Sequence, residues 1–331
     1  MTPSILLAVP NVSEGRDAAT IARIGEAFAP RPPAGLATES VRLLDVHSDG
    51  DHHRSVFTLA GRAGELSSAL LRGAAAAVES IDVVARASGR PEERGGHPHV
   101  GAIDVVPLVY FDARARGAAC AEALVVGDRI ASELDVPVFI YGELAGGRRE
   151  TARADFRRGG LQTLARRMAA EHDGAPRLRP DFGPSSPHPR AGVTLVAARE
   201  PLVAFNLQLR PPADVAEARR IAALIRDGGE LGLPGVRAIG VALSGGVAQV
   251  SMNVERPLEL PLADVVATVA RHAALESAEL VGLAPRAALD GFPSDLPLAG
   301  FDRERHVIES ALSASGVDAT TSRGNAAGEN D

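Results

Sequence analysis

The chain has 331 residues, 45% of them hydrophobic and 23% charged, which suggests two domains or one large domain with a substantial core. The net charge of −7 without a dense basic run argues against binding to a nucleic-acid backbone. A single cysteine, Cys120, excludes an intramolecular disulfide, and the complete absence of lysine excludes Schiff-base and phosphate-loop lysines.

The first half of the chain predicts alternating strands and helices. Its N-terminal apolar stretch, residues 5–9, is too short to span a membrane and lacks the basic start of a signal peptide. We therefore expect a cytoplasmic protein without a membrane partner. Hydrophobic periodicity and turn residues predict strands at 5–10, 41–46, 56–60, 103–110 and 136–141, and helices at 17–28, 64–79, 118–134 and 161–170.

The second half repeats this pattern after a proline-rich stretch, residues 173–192. Such a composition is typical of a flexible linker, although its prolines and Phe182 also fit a structured crossing. Beyond it we predict strands at 193–198, 202–209, 236–243 and 247–254, with helices at 213–226 and from Pro261. Strand pairs alternating with helices favour an α+β fold with antiparallel or mixed sheets.

Polar residues cluster at three strand ends: residues 10–16, residues 47–54 and the loop 95–102. Clusters of this kind are typical of an active site on a rigid scaffold. In the third cluster, Pro98 favours an extended His97 and the following strand anchors the loop. An imidazole there could transfer a proton near neutral pH, but a turn that happens to contain histidines explains the same pattern.

Metal binding is a second interpretation of the histidine-rich clusters. Their imidazoles and carboxylates could hold zinc, but no recognised ligand spacing is present. The candidate ligands are His47, His52, His53, His97, His99, Asp45, Asp49 and Asp51. Nucleophilic catalysis by Cys120 is disfavoured, because this cysteine lies on an apolar helical segment where an inert, buried thiol is expected.

Two strands of the second half place amide side chains on one face. Asn206 and Gln208 alternate with apolar residues in strand 202–209, as do Gln249, Ser251 and Asn253 in strand 247–254. A solvated sheet face is the ordinary explanation. A polar wall that reads a heterocycle by its hydrogen-bond donors and acceptors is the alternative.

Taken in order along residues 4–285, these clusters resemble the formiminotransferase family. The matching stretches are residues 9–15, 43–46, 53–56, 97–105, 135–143, 180–184, 204–206 and 248–253.

The resemblance implies transfer of a formimino group from N-formimino-L-glutamate to N5 of tetrahydrofolate, the acceptor co-substrate, in histidine degradation. It implies two ferredoxin-like α/β subdomains, at 1–180 and 181–300, with the ligand cleft between them, then a terminal helix and a disordered tail at 301–331. We expect a homodimer, no metal, and a stand-alone form without the cyclodeaminase domain of the animal proteins.

The resemblance also implies catalytic and binding roles for individual residues. His97 is the expected catalytic base. Substrate carboxylates call for single bidentate arginines, for which we choose Arg16, Arg54 and Arg199. Asn11, Asn206 and Gln249 are further candidates for contact with the substrates. The expected folate-binding segment consists of Gly183, Pro184, Ser185, Ser186, Pro187, His188, Pro189, Arg190, Ala191 and Gly192.

Three positions depart from the family pattern. His47 stands where animal-type members carry aspartate, His99 where arginine is frequent, and Ala197-Ala198-Arg199 where Gly-Ala-Arg is usual. The two histidines change the charge of the pocket. Another one-carbon donor, such as N-formylglutamate, and a non-catalytic folate-binding role therefore stay open beside the first hypothesis.

Overall fold

The computed structural model describes residues 4–30, 41–89, 99–146, 152–170 and 177–316, which form two sheets packed against helices. The strands of the first sheet are β1 (Ile5–Ala8), β2 (Asn11–Val12), β3 (Arg42–Asp49), β4 (Arg54–Arg62), β5 (Ile103–Val109), β6 (Val138–Ile140) and β7 (Thr194–Arg199). The helices of this half are α1 (Ala18–Phe28), α2 (Leu66–Ser80), α3 (Val83–Ser88), α4 (Arg116–Leu134), α5 (Arg153–Arg157) and α6 (Gly160–Ala169).

The first sheet has a ferredoxin-like centre. Strands β1 and β2 both pair with β4 and β5 and so act as one interrupted strand, which gives the order β3-β4-β1/β2-β5. With α1 and α2 as the connecting helices, this is the split βαβ arrangement. Strands β7 and β6 extend the sheet beyond β5 in parallel.

The second sheet repeats the ferredoxin-like order. Its order is β12-β11-β8-β10-β9, and α7 and α8 make the two crossovers. The prediction of an α+β fold with two such subdomains is therefore confirmed. The elements are β8 (Val203–Leu209), α7 (Val215–Ile225), β9 (Val236–Ala242), β10 (Ala248–Val254), α8 (Leu262–Ala270), β11 (Leu275–Val281), β12 (Leu298–Ala299), α9 (Arg303–His306) and α10 (Ile308–Ser315).

Local chemistry explains where several helices begin. The Asp17 carboxylate accepts a hydrogen bond from the backbone N–H of Ala19 at 3.0 Å and begins α1. Asp214 begins α7 in the same way, through the N–H of Glu217 at 2.9 Å. Both helices then bury one apolar face against a sheet, because their apolar residues recur at helical spacing.

The expected subdomain boundary at residue 180 needs correction. Strand β7 lies beyond it in sequence, yet β7 pairs in parallel with β5 and β6, so the first sheet extends to Arg199. The described part of the proline-rich stretch, residues 177–192, is a structured crossing within the first subdomain, not the linker between the two. The predicted terminal helix is α10, and residues 317–331 lie outside the described ranges.

An apolar cluster joins the two subdomains. Leu7 and Val109 from the first sheet pack with Leu283, Ile308 and Leu312 from the C-terminal part of the chain. Since α10 contributes two of these residues, the last helix helps to hold the two sheets together. None of the helices in the described ranges is both long and apolar enough to cross a membrane.

Candidate active site

A cleft lies between the two subdomains along the open face of the second sheet. On β8, Phe205 is buried in the core, so the adjacent Asn206 faces the other way. The strand register aligns Asn206 with Ser251 on β10 and with Glu279 on β11, and Ser251 with Ile239 on β9. These four side chains form one row across the sheet.

The cleft has a volume of about 470 Å³. Helix α5 and the start of β4 form its wall on the first subdomain, and the strands β8, β9 and β10 form the opposite wall. Its polar lining residues are Arg54, Arg153, Arg157, Arg158, Asn206, Arg226, Asp227, Arg237, Ser251, Asn253 and Glu255. The preponderance of arginine suits an anionic ligand.

Arg54 is the predicted arginine that the structure places in this cleft. Burial, followed by the nearby Arg157 and Arg153 cations, lowers its pKa to about 10, while Asp49 and Asp104 oppose that shift. The guanidinium therefore stays charged at neutral pH. Among the described residues no carboxylate lies within ion-pair distance of Arg54, so its donors are available to a ligand carboxylate.

Arg157 connects the cleft to the loop 95–102, the histidine loop. Its guanidinium pairs with Asp104, and both side chains are buried. The other oxygen of Asp104 accepts the backbone N–H groups of Val100 and Gly101 at 2.7 and 3.2 Å. This carboxylate thereby fixes the C-terminal end of the loop. His97 itself falls in residues 90–98, outside the described residues.

A second buried cluster lies beside the same loop. The Nδ1 atom of His53 accepts the N–H of Gly15 at 3.2 Å and lies 3.4 Å from a carboxylate oxygen of Glu14. Burial, then the Arg86 cation, lowers the pKa of His53 to about 4, although Glu14 acts in the opposite direction. His53 is therefore neutral at physiological pH. Arg86 pairs with Glu14 at 3.0 Å.

The expected folate-binding segment, residues 183–192, is ordered and crosses the first subdomain. It begins beside β6, where Phe182 bridges to Val138, and ends where Gly192 bridges to Gly101. The Nδ1 atom of His188 accepts the N–H groups of residues 190 and 191 and tightens the turn. Its C-terminal end therefore lies against the histidine loop, but none of its residues lines the cleft.

Three other predicted site residues lie outside the cleft lining. The Asn11 amide donates to the carbonyl oxygen of Val9 at 3.0 Å, and Arg16 Nε donates to the carbonyl oxygen of Gly50 at 2.8 Å. Arg199 lines a separate small cavity at the apolar junction of the subdomains. Burial lowers the pKa of Arg199 to about 10, so it too stays charged.

The two amides predicted to face the cleft differ in their surroundings. Asn206 lines the cleft and donates to Glu279 at 2.8 Å. Glu279 also lies 3.6 Å from His47 of the first subdomain. Gln249 is on the expected face but is completely buried and does not line the cleft. Neither polar atom of its amide has a hydrogen-bond partner within the described ranges.

The alternative of a metal site finds no support in the described part of the chain, where no three histidine, cysteine or carboxylate side chains form a possible ligand set. His52 instead contacts Asp49 at 2.5 Å. Burial opposes ionisation of Asp49, but hydrogen bonds from the side chain and the backbone of His52 outweigh it and lower the pKa of Asp49 to about 2.

Comparison with known proteins identifies the family of this chain. Residues 5–199 match the sequence model of the formiminotransferase domain, N-terminal subdomain. Glutamate formimidoyltransferase of Streptococcus pyogenes serotype M1 is 33% identical over 93% of this chain and 98% of its own length. The chain belongs to the formiminotransferase family. The match to the family model ends at Arg199, the last residue of β7, in agreement with the corrected extent of the first subdomain.

Two further formiminotransferase relatives are similar over most of this chain. Glutamate formimidoyltransferase of Thermoplasma acidophilum is 33% identical over 92% of this chain and 96% of its own length. Formimidoyltransferase-cyclodeaminase of Sus scrofa is 35% identical over 85% of this chain, which corresponds to 50% of that longer protein.

Sequence reasoning missed several residues of the formiminotransferase cleft. Arg153 and Arg157 lie on α5, which was not predicted, although the stretch 148–158 holds five arginines and could have indicated a basic wall. Glu279 was missed because strand β11 was not predicted. The sequence signal for this strand is short, since Glu279 stands between the apolar residues Ala278 and Leu280.

Proposed function

We propose that the chain transfers the formimino group of N-formimino-L-glutamate to N5 of tetrahydrofolate, giving 5-formiminotetrahydrofolate and L-glutamate. The observation that carries this proposal is the arginine-lined cleft between the two subdomains of a formiminotransferase family member. Relatives of nearly the same length are named glutamate formimidoyltransferases, which supports the same donor here.

The cleft fits such substrates in size and charge. Its volume of about 470 Å³ lies within the range of small-molecule sites. The donor carries two carboxylates and folate carries its own, and Arg54 offers a guanidinium without a carboxylate partner in the described ranges. Asn206, Ser251 and Asn253 supply donors and acceptors that could orient the polar edge of a ring.

The chemistry requires a base near the reacting nitrogen. N5 attacks the amidine carbon, the new C–N5 bond forms, and the bond from that carbon to the glutamate nitrogen breaks. The proton lost from N5 has to reach the departing amine. In this proposal His97 removes that proton and delivers it to the glutamate nitrogen, so one imidazole serves as base and then as acid.

A donor assay tests the proposal. Purified protein is incubated with tetrahydrofolate and either N-formiminoglutamate or N-formylglutamate, and released glutamate is measured together with the substituted folate. We expect turnover with the formimino donor. Turnover with the formyl donor alone would replace the proposed substrate, and tight folate binding without turnover of either donor would favour a non-catalytic folate-binding protein.

Replacement of the proposed base gives an independent test. The His97→Ala variant should lose activity by about 10²–10⁴-fold while it still binds folate. His306→Ala is the matched control, because His306 lies on α9, does not line the cleft and accepts the N–H of the nearby Asp302, so the variant should retain the parent rate. Near-normal turnover by His97→Ala would remove the catalytic role of His97.

A further inference from the structure

Asn206 and Glu279 form a directed hydrogen bond in the wall of the cleft. The two residues are register partners on β8 and β11, and the Nδ2 atom of Asn206 donates to Oε2 of Glu279 at 2.8 Å. An ionised carboxylate accepts hydrogen bonds but cannot donate them. Glu279 therefore forces the NH₂ end of the amide toward itself, and the carbonyl oxygen Oδ1 must point away.

Glu279 also lies near a residue of the opposite subdomain. Its Oε1 atom lies 3.6 Å from Nε2 of His47 on β3. The side chain of Glu279 keeps a quarter of its surface exposed, and it does not itself line the cleft. One oxygen of the carboxylate accepts the Asn206 amide, and the other lies near the imidazole without a hydrogen bond, because Nε2 of His47 has no hydrogen-bond partner among the described residues.

The oxygen end of the Asn206 amide, Oδ1, lies in a row of side chains suited to contact with a planar ring. Asn206 lines the cleft, and its Oδ1 atom accepts no hydrogen bond from the described residues. In the same row of the sheet, Ile239 lies beyond Ser251, two strands from Asn206. It lines the cleft and leaves 45% of its surface exposed, which offers an apolar contact. A flat heterocycle with N–H groups on one edge matches this combination of an apolar contact and a single acceptor.

We propose that Glu279 is a positioning residue that presents Oδ1 of Asn206 as an acceptor, so that the cleft selects a ligand with an N–H donor edge. Under the proposed function, on which this inference rests, that edge belongs to the pterin ring of the folate. Glu279 acts through Asn206 and touches no reacting atom. A neutral residue at 279 would let the amide rotate and present its NH₂ group to the ligand instead.

A donor–acceptor exchange tests this role with folic acid as the probe. Glu279→Gln should weaken folic acid binding several-fold and at most about tenfold. The glutamine NH₂ can donate to Oδ1 of Asn206 and turn the Asn206 NH₂ toward the ligand, but the glutamine oxygen can also accept as Glu279 does. Asn206→Asp should weaken it at least as much, because two carboxylates would then face each other. The double variant Asn206→Asp/Glu279→Gln keeps the parent charge, restores a donor at 279 and leaves one acceptor oxygen toward the ligand, so binding should recover to within a few-fold of the parent.

The matched control is Glu276→Gln, a change of the same kind on β11 at an exposed glutamate that pairs with Arg210. Binding is measured by titration calorimetry, and circular dichroism confirms that each variant is folded. The inference fails if Glu279→Gln binds like Glu276→Gln, or if the folded double variant binds as weakly as the single variants. If the parent protein binds neither folic acid nor tetrahydrofolate, the proposed function fails and the inference fails with it.

Discussion

Asp104 and Arg157 form a buried ion pair that connects β5, the strand after the histidine loop, to helix α5 in the cleft wall. The same Asp104 carboxylate also accepts two backbone N–H groups of the loop. One side chain thus fixes both the end of the loop and an arginine of the cleft. Geometry at the proposed site therefore depends on a contact between segments more than 50 residues apart in sequence.

Asp104→Ala should destabilise the protein by about 3–5 kcal/mol, because it leaves the buried Arg157 guanidinium without its carboxylate. Urea denaturation at neutral pH measures the change. Arg158→Gln is the control, since the pair of Arg158 with Asp155 is largely exposed and its loss should cost less than about 1 kcal/mol. Equal losses in the two variants would contradict the structural role of the buried pair.

His53 should make the stability depend on pH between about 4.5 and 6.5. The folded state holds the pKa of His53 at about 4, against 6.5 in the unfolded chain. As the pH falls through this window, the unfolded chain binds a proton that the folded state does not. Stability is therefore complete above pH 6.5 and falls by about 2–3 kcal/mol as the pH approaches 4.

The variant His53→Asn isolates this effect. His53 has a φ of +53°, a conformation that asparagine tolerates better than most residues, and an asparagine oxygen can still accept the N–H of Gly15. Urea unfolding at several pH values should give a flatter pH dependence for the variant than for the parent between pH 4.5 and 6.5. Two identical slopes would show that His53 does not titrate on unfolding in this range.

Arg54→Gln should weaken substrate binding without lowering the free energy of unfolding. Loss of the guanidinium should raise KM for the donor or the folate about 10–100-fold, because a charge-assisted contact to a carboxylate is removed. The free energy of unfolding should stay the same or rise, since the variant removes a cation that Arg153 and Arg157 destabilise. Arg210→Gln, at an exposed ion pair, should change neither quantity. A KM equal to that of the parent would remove Arg54 from the site.

Local patterns explain most of what the sequence predicts correctly. The hairpin of β9 and β10 follows from two alternating strands around a glycine turn at 244–246, and α7 follows from apolar residues at helical spacing. Alternation also predicts that Asn206 lies on the cleft side of the second sheet, where its side chain is buried at the cleft wall. Each of these features depends on residues close together in the chain.

Features that depend on distant partners could not be predicted in the same way. The pairing of β7 with β5 joins Leu195 to Val105, and nothing in residues 193–198 alone distinguishes the first sheet from the second. The contact of Glu279 with His47 joins two subdomains. The charge of Arg16 predicts a contact with a substrate carboxylate, but its Nε–H group donates to the carbonyl oxygen of Gly50, a contact that depends on the folded turn.

Gly101 provides the sharpest test of how the histidine loop is held. A Cβ atom at Gly101 would lie 1.9 Å from the carbonyl oxygen of Val193, a backbone atom that cannot move without shifting β7. Gly101→Ala should therefore cost more than about 4 kcal/mol or prevent folding. Gly117→Ala is the matched control on α4, where the new methyl group meets open space and should stabilise the helix by up to about 1 kcal/mol. Denaturant midpoints of both variants test this close approach of the loop to β7. A Gly101→Ala protein as stable as the parent would be incompatible with it.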